Sequence, residues 1–177
     1  MVASESIPAE TSRSTTAHAV VNKYVPWSMG VGIIPMPVLV IAGVGGIQLK
    51  MMSDICAVYQ TPFTEQKGRS ILLAIVGAAA PTAIGLGGLT GLVASIPFVG
   101  PFIFPATVPI LAGGATWAVG RMLVEHLESG GSFLSFDASE TKEMFAQRFE
   151  EGKAEAKKFA SKVSNSVPRP ATAAPAA

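Results

Sequence analysis

Two long stretches without Asp, Glu, Lys or Arg dominate the pattern of hydrophobic and polar positions along this chain. The first, residues 24–49, has twenty-six residues, and the second, residues 70–120, has fifty-one. A helix of roughly 20 residues crosses the hydrocarbon core of a bilayer, since each residue adds about 1.5 Å. The second stretch is therefore long enough for two crossings and a turn. The pattern predicts an all-α integral membrane protein.

The longer stretch is interrupted once, near its middle. Pro97, Gly100 and Pro101 lie close together there, and two prolines with a glycine would break a continuous helix. We therefore predict transmembrane helices at 70–95 and 102–120, joined by a turn that contains Pro97 and Pro101.

Small residues recur at four-residue spacing in both predicted spans. Gly87 and Gly91 form such a pair in the first span, and Gly114 and Ala118 form one in the second. This spacing lets helix backbones approach closely where lipid provides no hydrophobic driving force. Packing between the two spans is the favoured interpretation, and homo-oligomerisation through the same face is the alternative.

The shorter stretch, 24–49, is split by prolines. Pro35 and Pro37 predict a turn, because a residue before proline is pushed out of the α region. Each flanking half has only about ten to twelve apolar residues, too few to cross alone. A hydrophobic helical hairpin that dips into the membrane is therefore favoured over a single kinked span, which stays an alternative.

The ends of the chain are polar. We predict a disordered leader at 1–14, a membrane domain at 15–128, a cytoplasmic amphipathic helix at 129–163 and a disordered tail at 164–177. One apolar stripe follows the C-terminal helix at helical spacing. An isolated helix of this kind is marginal in water, so the stripe should face the membrane surface, the protein's own loop or a partner. Its members are Phe145, Phe149, Ala156, Ala160 and Val163.

Charge and composition narrow the function. Charged residues make up 14% of the chain, against roughly 25% in ordinary soluble domains, and the net charge is +1. A net charge of +1 is too small to attract nucleic acid electrostatically, so no nucleic acid is expected as a partner. The N-terminus lacks the basic and apolar regions of a cleaved signal peptide.

No constellation of residues typical of catalysis is present in the sequence. His18 and His126 are its two histidines, and Glu125, His126 and Glu128 fan around a helix instead of converging on a metal. The single Cys56 lies on an apolar stripe and is interpreted as a core residue. We therefore expect no enzyme activity, no cofactor and no metal. Since neither uncharged stretch has an ionisable residue, a transporter or pump is disfavoured.

The segment from His18 to Pro37, with Pro-x-Pro at its end, resembles the YcjF-type family of bacterial inner-membrane proteins of unknown function. Further similarity lies at residues 48–51, at the Pro97–Pro101 turn and at 128–137, and in all it covers roughly residues 17–150. The resemblance implies an inner-membrane protein, and association with Era-like GTPases. The family's acidic residue near Val40 is missing here.

Two functions follow. The first is a non-enzymatic membrane scaffold or adaptor that presents its C-terminal helix to a protein partner, which the resemblance suggests is a GTPase. The alternative is a self-associating protein that shapes a membrane or belongs to an organelle or vesicle membrane.

The charges next to the uncharged stretches predict the orientation. Lys50, Lys67 and Arg69 lie between the stretches and Arg121 follows the second, whereas the turn at 96–101 has no charge. Positive residues favour the cytoplasmic side. We expect a multi-pass protein of the bacterial inner membrane, or of a membrane derived from it, with a cytoplasmic C-terminus. The N-terminus is cytoplasmic if 24–49 is a hairpin and external if it is one span.

Overall fold

The structure, a computed structural model, describes residues 6–34, 36–75, 100–136 and 142–166. Over these residues the protein is all-helical, without a strand, which confirms the predicted fold class. The helices are α1 (Ser6–Val31), α2 (Pro37–Val58), α3 (helical over 65–75), α4 (Gly100–Glu128), a 3-10 helix (Phe133–Ser135) and α5 (Lys142–Ser166).

The break between α1 and α2 lies at the predicted proline-rich turn. Met36 has an extended backbone, with φ −131° and ψ 98°, because the following Pro37 disfavours the α region. Pro37 itself occupies the first turn of α2, where its missing N–H costs nothing. Pro26 lies within α1 without ending it. Pro35 lies outside the described residues.

Helix α1 begins earlier than the sequence indicates. Residues 6–14, assigned above to a disordered leader, are helical and extend the packed part of α1 toward the N-terminus. Thr15 and Thr16 donate hydrogen bonds to the carbonyls of Thr11 and Ser12, at 2.9 and 2.8 Å. Polar residues of this kind rarely start a helix by themselves, because nucleation is unfavourable. Extending the packed part of α1 adds one backbone hydrogen bond for each residue, so the polar residues continue a helix that already exists.

Helices α1, α2 and α4 form a bundle. Contacts between residues of different helices show the relative directions of the helices. A Cβ built on Gly120 would lie 2.7 Å from Val21, and one on Gly32 would lie 2.8 Å from Pro109, so α1 and α4 are antiparallel. Gln48 donates to Thr116 at 3.3 Å in the buried space between α2 and α4.

Tyr59 follows the last residue of α2, and Glu128 is the last residue of α4. The Tyr59 hydroxyl donates a 3.1 Å hydrogen bond to the Glu128 carboxylate, so the two helices end side by side. Since Gln48 also lies beside Thr116, α2 and α4 are parallel, and α2 is antiparallel to α1. Gly68 of α3 lies against Leu49 of α2.

The core of the bundle is apolar and lies toward the end where α2 and α4 finish. Phe133 of the 3-10 helix is fully buried and packs on Phe63, with ring centroids 5.1 Å apart. Burying one large apolar side chain contributes about 1.5–3 kcal/mol. Other fully buried side chains are those of Met51, Met52, Ile55, Met122, Leu123, Val21, Val25 and Val124.

Helix α5 packs antiparallel on α4 through small residues. A Cβ on Gly152 would lie only 2.5 Å from the carbonyl oxygen of Gly114, and one on Gly113 would lie 3.1 Å from Ala156. Nothing larger than hydrogen fits at Gly152 while the backbones are this close. At the other end of the interface Arg148 forms an ion pair with Glu125, at 2.9 Å.

Among the described residues, two helices are long and apolar enough to cross a membrane, judged by length and composition. They are Leu39–Val58, one third of whose apolar window is buried in the protein, and Thr107–Glu128, with 61% buried. The second overlaps the predicted span 102–120. Most of the predicted span 70–95 lies outside the described residues, as does Pro97. Pro101 lies in the first turn of α4.

Candidate membrane-inserting end of the bundle

Large apolar side chains are exposed around the turn that joins α1 and α2. We call this group the apolar tip. Ile41 and Trp27 are the most exposed, at 74% and 66%. Its members are Trp27, Ile33, Ile34, Met36, Leu39 and Ile41. A contiguous exposed patch of this kind is typical of a surface that binds a membrane or a partner.

Charged residues of α1, α2, α3 and α4 collect at the opposite end of the bundle. Asp54 accepts a 2.6 Å hydrogen bond from Tyr24 and forms an ion pair with Lys50. Burial and the neighbouring Glu128 carboxylate raise the pKa of Tyr59 to about 12, so it stays a neutral donor. The bundle of α1, α2, α3 and α4 is therefore polarised along its axis.

His18 and Arg121 meet at this charged end, although 103 positions separate them. Nη1 of Arg121 lies 2.9 Å from Nδ1 and 3.0 Å from Nε2 of the imidazole. Burial and the guanidinium charge lower the pKa of His18 below its usual 6.5. On its other side Arg121 covers the ring of Trp117, at 5.3 Å from the centroid. Trp117 is thus half-buried beside a cation.

The two ends of the stretch 24–49 lie side by side. Lys23 and Lys50 border one groove between α1 and α2, so the chain leaves the charged end, turns and returns to it. The turn at Ile33 lies ten residues beyond Lys23, or about 15 Å along a helix. That distance is half of a hydrocarbon core of about 30 Å.

One of the predicted packing residues, Gly114, contacts α5. Gly114 lies against Lys153, and Ala118 is fully buried within the bundle. The proposed partner face in the first span, with Gly87 and Gly91, lies outside the described residues, so packing between the two spans stays a prediction.

The predicted partner-facing stripe of α5 is partly used within the chain. Ala156 is fully buried beside Gly113, and Phe145 packs against the core. Phe149 and Ala160 are half-buried, whereas Val163 is 63% exposed. Helix α4, which is not one of the three surfaces that the sequence left open, covers the first half of this stripe.

Two features escaped the sequence analysis. Trp27 is the exposed aromatic at the border of the apolar tip, and its position four residues after Lys23 could have marked it as an interfacial residue. The pairing of His18 with Arg121 left no local signal, since it depends on α1 lying against α4. In the described ranges no group of three or more His, Cys, Asp or Glu is placed to hold a metal ion.

Comparison with known proteins gives one relative with high coverage. Over 151 residues the chain is 32% identical to magnetosome membrane protein 22 of Magnetospirillum gryphiswaldense strain MSR-1, and the alignment covers 85% of this chain and 77% of the relative. The chain belongs to the family of that protein. No family model and no solved structure matches it.

Membership of this family bears on the resemblance drawn from the sequence. The relative is, by its name, a bacterial membrane protein, which agrees with the coarser part of that expectation. The YcjF-type assignment is not confirmed by these comparisons, and nothing in them supports a GTPase partner.

Proposed function

We propose that this chain is a non-enzymatic protein of an intracellular organelle membrane of the magnetosome type, with its apolar tip inserted in one leaflet. The single observation that carries the location is the 32% identity to a magnetosome membrane protein over 85% of the chain. The fold contributes the mode of attachment, because the exposed apolar residues of the hairpin lie at one end and the charges of α1 and α2 at the other.

The depth of the hairpin supports insertion in one leaflet. A turn about 15 Å beyond Lys23 reaches the middle of a bilayer and not its far side. Both ends of the segment return to the same side, where Lys23 and Lys50 lie. A wedge that occupies one leaflet expands that leaflet alone, which favours curvature.

Helix α5 limits the depth of insertion. Lys157, Lys158 and Lys162 follow Ala156, which is level with Gly113 and Met29 near the apolar tip. Charged groups are costly in hydrocarbon, but long lysine stems let ammonium groups reach the headgroups. The bundle therefore enters with the α1–α2 edge foremost, while α5 stays on α4 at the membrane surface.

The function that the sequence analysis gives first, an adaptor that presents α5 to a partner, has less support than its alternative, an organelle-membrane protein. Its stripe is partly covered by α4, since Ala156 lies against Gly113. The GTPase partner implied by the YcjF-type resemblance stays a prediction, and so does homo-oligomerisation.

Localisation tests the proposal directly. The tagged chain is expressed in Magnetospirillum gryphiswaldense, and cytoplasmic and magnetosome membranes are separated and compared by quantitative immunoblot. We expect enrichment in the magnetosome membrane, with resistance to alkaline extraction. Equal density in both membranes would contradict the organelle assignment.

Tip insertion is tested separately with single tryptophans. In a background carrying Trp27→Phe and Trp117→Phe, tryptophan is placed at Ile33 in the tip or at Leu134, which is 54% exposed in the 3-10 helix at the charged end. In vesicles, lipids brominated on their acyl chains should quench position 33 and leave position 134 unchanged. If position 33 is instead quenched by aqueous iodide and not by these lipids, the tip is not inserted.

A further inference from the structure

A groove of about 490 Å³ runs between α1 and α2 on the surface of the described residues. Its lining is apolar toward the tip, where Trp27 and Gly43 lie, and carries Lys23 and Lys50 at the other end. The remaining lining residues are Tyr24, Gly46 and Ile47.

The cations at one end of the groove are available to a ligand. The exposed side chain of Lys23 lies over the ring of Tyr24, 5.4 Å from its centroid. Lys50 forms an ion pair with Asp54, and its side chain is 64% exposed. An exposed pair of this kind is weak, so Lys50 can turn toward a second anion. The local net charge of Lys23, Lys50 and Asp54 is +1. The Asp54 carboxylate also accepts a hydrogen bond from Tyr24.

The apolar part of the groove has the length of an acyl chain segment. Lys50 and Gly43 are seven residues apart on α2, which is about 10 Å, or two-thirds of one leaflet of about 15 Å. Beyond Gly43 the helix continues to the exposed Ile41 and Leu39 of the apolar tip. The groove is therefore continuous with the surface proposed to meet lipid.

We propose that this groove binds one anionic phospholipid, with the phosphate between Lys23 and Lys50 and an acyl chain along Gly43, Gly46 and Ile47. The occupant follows from charge complementarity, because an amphiphile with one anionic and one apolar end matches a groove that is cationic at one end and apolar along its length. Trp27 and Tyr24 would flank the headgroup boundary, where amphipathic rings are favoured. Basic pockets between membrane helices recognise anionic headgroups in this way. The proposal rests on the insertion of the tip proposed above.

Gly45 and Gly46 are adjacent in α2, and leucine substitutions at these two positions provide a matched pair of variants. A Cβ at Gly46 or at Gly45 would meet nothing within 4 Å, so both positions have space for the start of a side chain. Gly46 lines the groove and Gly45 does not. Leucine at position 46 should therefore fill the lipid site, while leucine at position 45 controls for the change in helix propensity.

The experiment uses Trp27 as the reporter, in the full chain with Trp117→Phe, reconstituted in vesicles that contain brominated phosphatidylglycerol or brominated phosphatidylcholine as the minor lipid. We expect phosphatidylglycerol to quench Trp27 about fivefold more per mole, which is the attraction that one net positive charge provides near an anionic surface. Gly46→Leu should abolish this preference, and Gly45→Leu should keep it.

The charge contribution is tested by a second matched pair. Lys23→Gln with Lys50→Gln should remove the preference, whereas Lys67→Gln with Arg69→Gln in α3 changes the net charge equally outside the groove and should retain it. Equal quenching by both lipids in the parent protein would overturn the lipid site while leaving tip insertion intact. Equal loss in both double variants would also overturn it, since general surface attraction would then suffice. Absence of quenching by either lipid, with position 33 also unquenched, would instead remove the proposed insertion.

Discussion

Residues 24–49 of the α1–α2 hairpin and the part of α4 up to Gly120 both lack Asp, Glu, Lys and Arg, yet their apolar side chains have different surroundings in the structure. The hairpin exposes its apolar side chains around the turn, with Ile41 74% exposed. In α4 the residues from Ala112 onward are largely buried among α1, α2 and α5. An uncharged stretch therefore indicates removal from water, and either lipid or protein can provide the cover.

The charged neighbours distinguish the two regions. Lys153 lies beside Gly114, and its ammonium pairs with Glu150 at 2.7 Å, so charged groups flank this part of α4. Hydrocarbon would not solvate such a pair. In the described part of the hairpin, by contrast, the border charges Lys23 and Lys50 stay at one end.

The largest expected effect is all-or-none and concerns the hairpin. In a Cys56→Ala background, single cysteines at the exposed positions Ser12 and Gln66 should lie on the same side of the membrane, because α1 and α2 enter and leave together. An impermeant thiol reagent should modify both only after permeabilisation, given the positive charges nearby. A cysteine at Ser164 should behave alike. Opposite labelling of positions 12 and 66 would show that residues 24–49 cross the membrane.

The contact between α4 and α5 should be sensitive to volume. Gly152→Leu places a side chain where even a Cβ would lie 2.5 Å from the Gly114 oxygen, so we expect a loss of about 1–3 kcal/mol or more and detachment of α5. Thermal unfolding and limited proteolysis measure the two effects. Gly30→Leu is the control, since a Cβ there meets nothing within 4 Å. If both variants melt alike, close packing of α5 is wrong.

A smaller effect is expected from the ion pair that joins the same helices. Arg148 contacts Glu125 and Glu151, each at 2.9 Å, with about a quarter of its side chain exposed. Arg148→Leu should cost about 1 kcal/mol, near the upper limit for surface pairs. A double-mutant cycle with Glu125→Gln, followed by thermal unfolding in one detergent, isolates the coupling. A coupling energy of zero would mean that the Arg148–Glu125 ion pair does not stabilise the packing of α5 on α4.

The smallest effect is a pH dependence at the charged end. Because burial and Arg121 lower the folded-state pKa of His18, the unfolded chain takes up a proton first as the pH falls. Stability from this site is therefore complete above pH 6.5 and decreases as the pH falls through the lowered pKa. Melting temperatures between pH 7.5 and 5 should show a shallower slope in His18→Gln than in the parent chain. Identical slopes would mean that His18 is protonated without penalty.

The sequence by itself determined the helical class and the break at Pro37. Both depend on local chemistry: a proline excludes the α region for the residue before it, and long charge-free stretches exclude exposure to water. The C-terminal helix was equally visible, since a stripe from Phe145 to Val163 repeats at helical spacing. The helical start of α1 was missed, because its polar residues are helical by extension from the packed residues after Ala17.

Only the tertiary structure decided which apolar surfaces are covered. That α5 lies on Gly113 and Gly114, and that His18 meets Arg121, are contacts between residues far apart in the chain, and no local pattern encodes them. Hydrophobic burial is non-directional, so a stripe specifies that it needs cover and leaves the covering element open. The fit of Gly152 against Gly114 selects that element through close packing, which exists only once both helices are placed side by side.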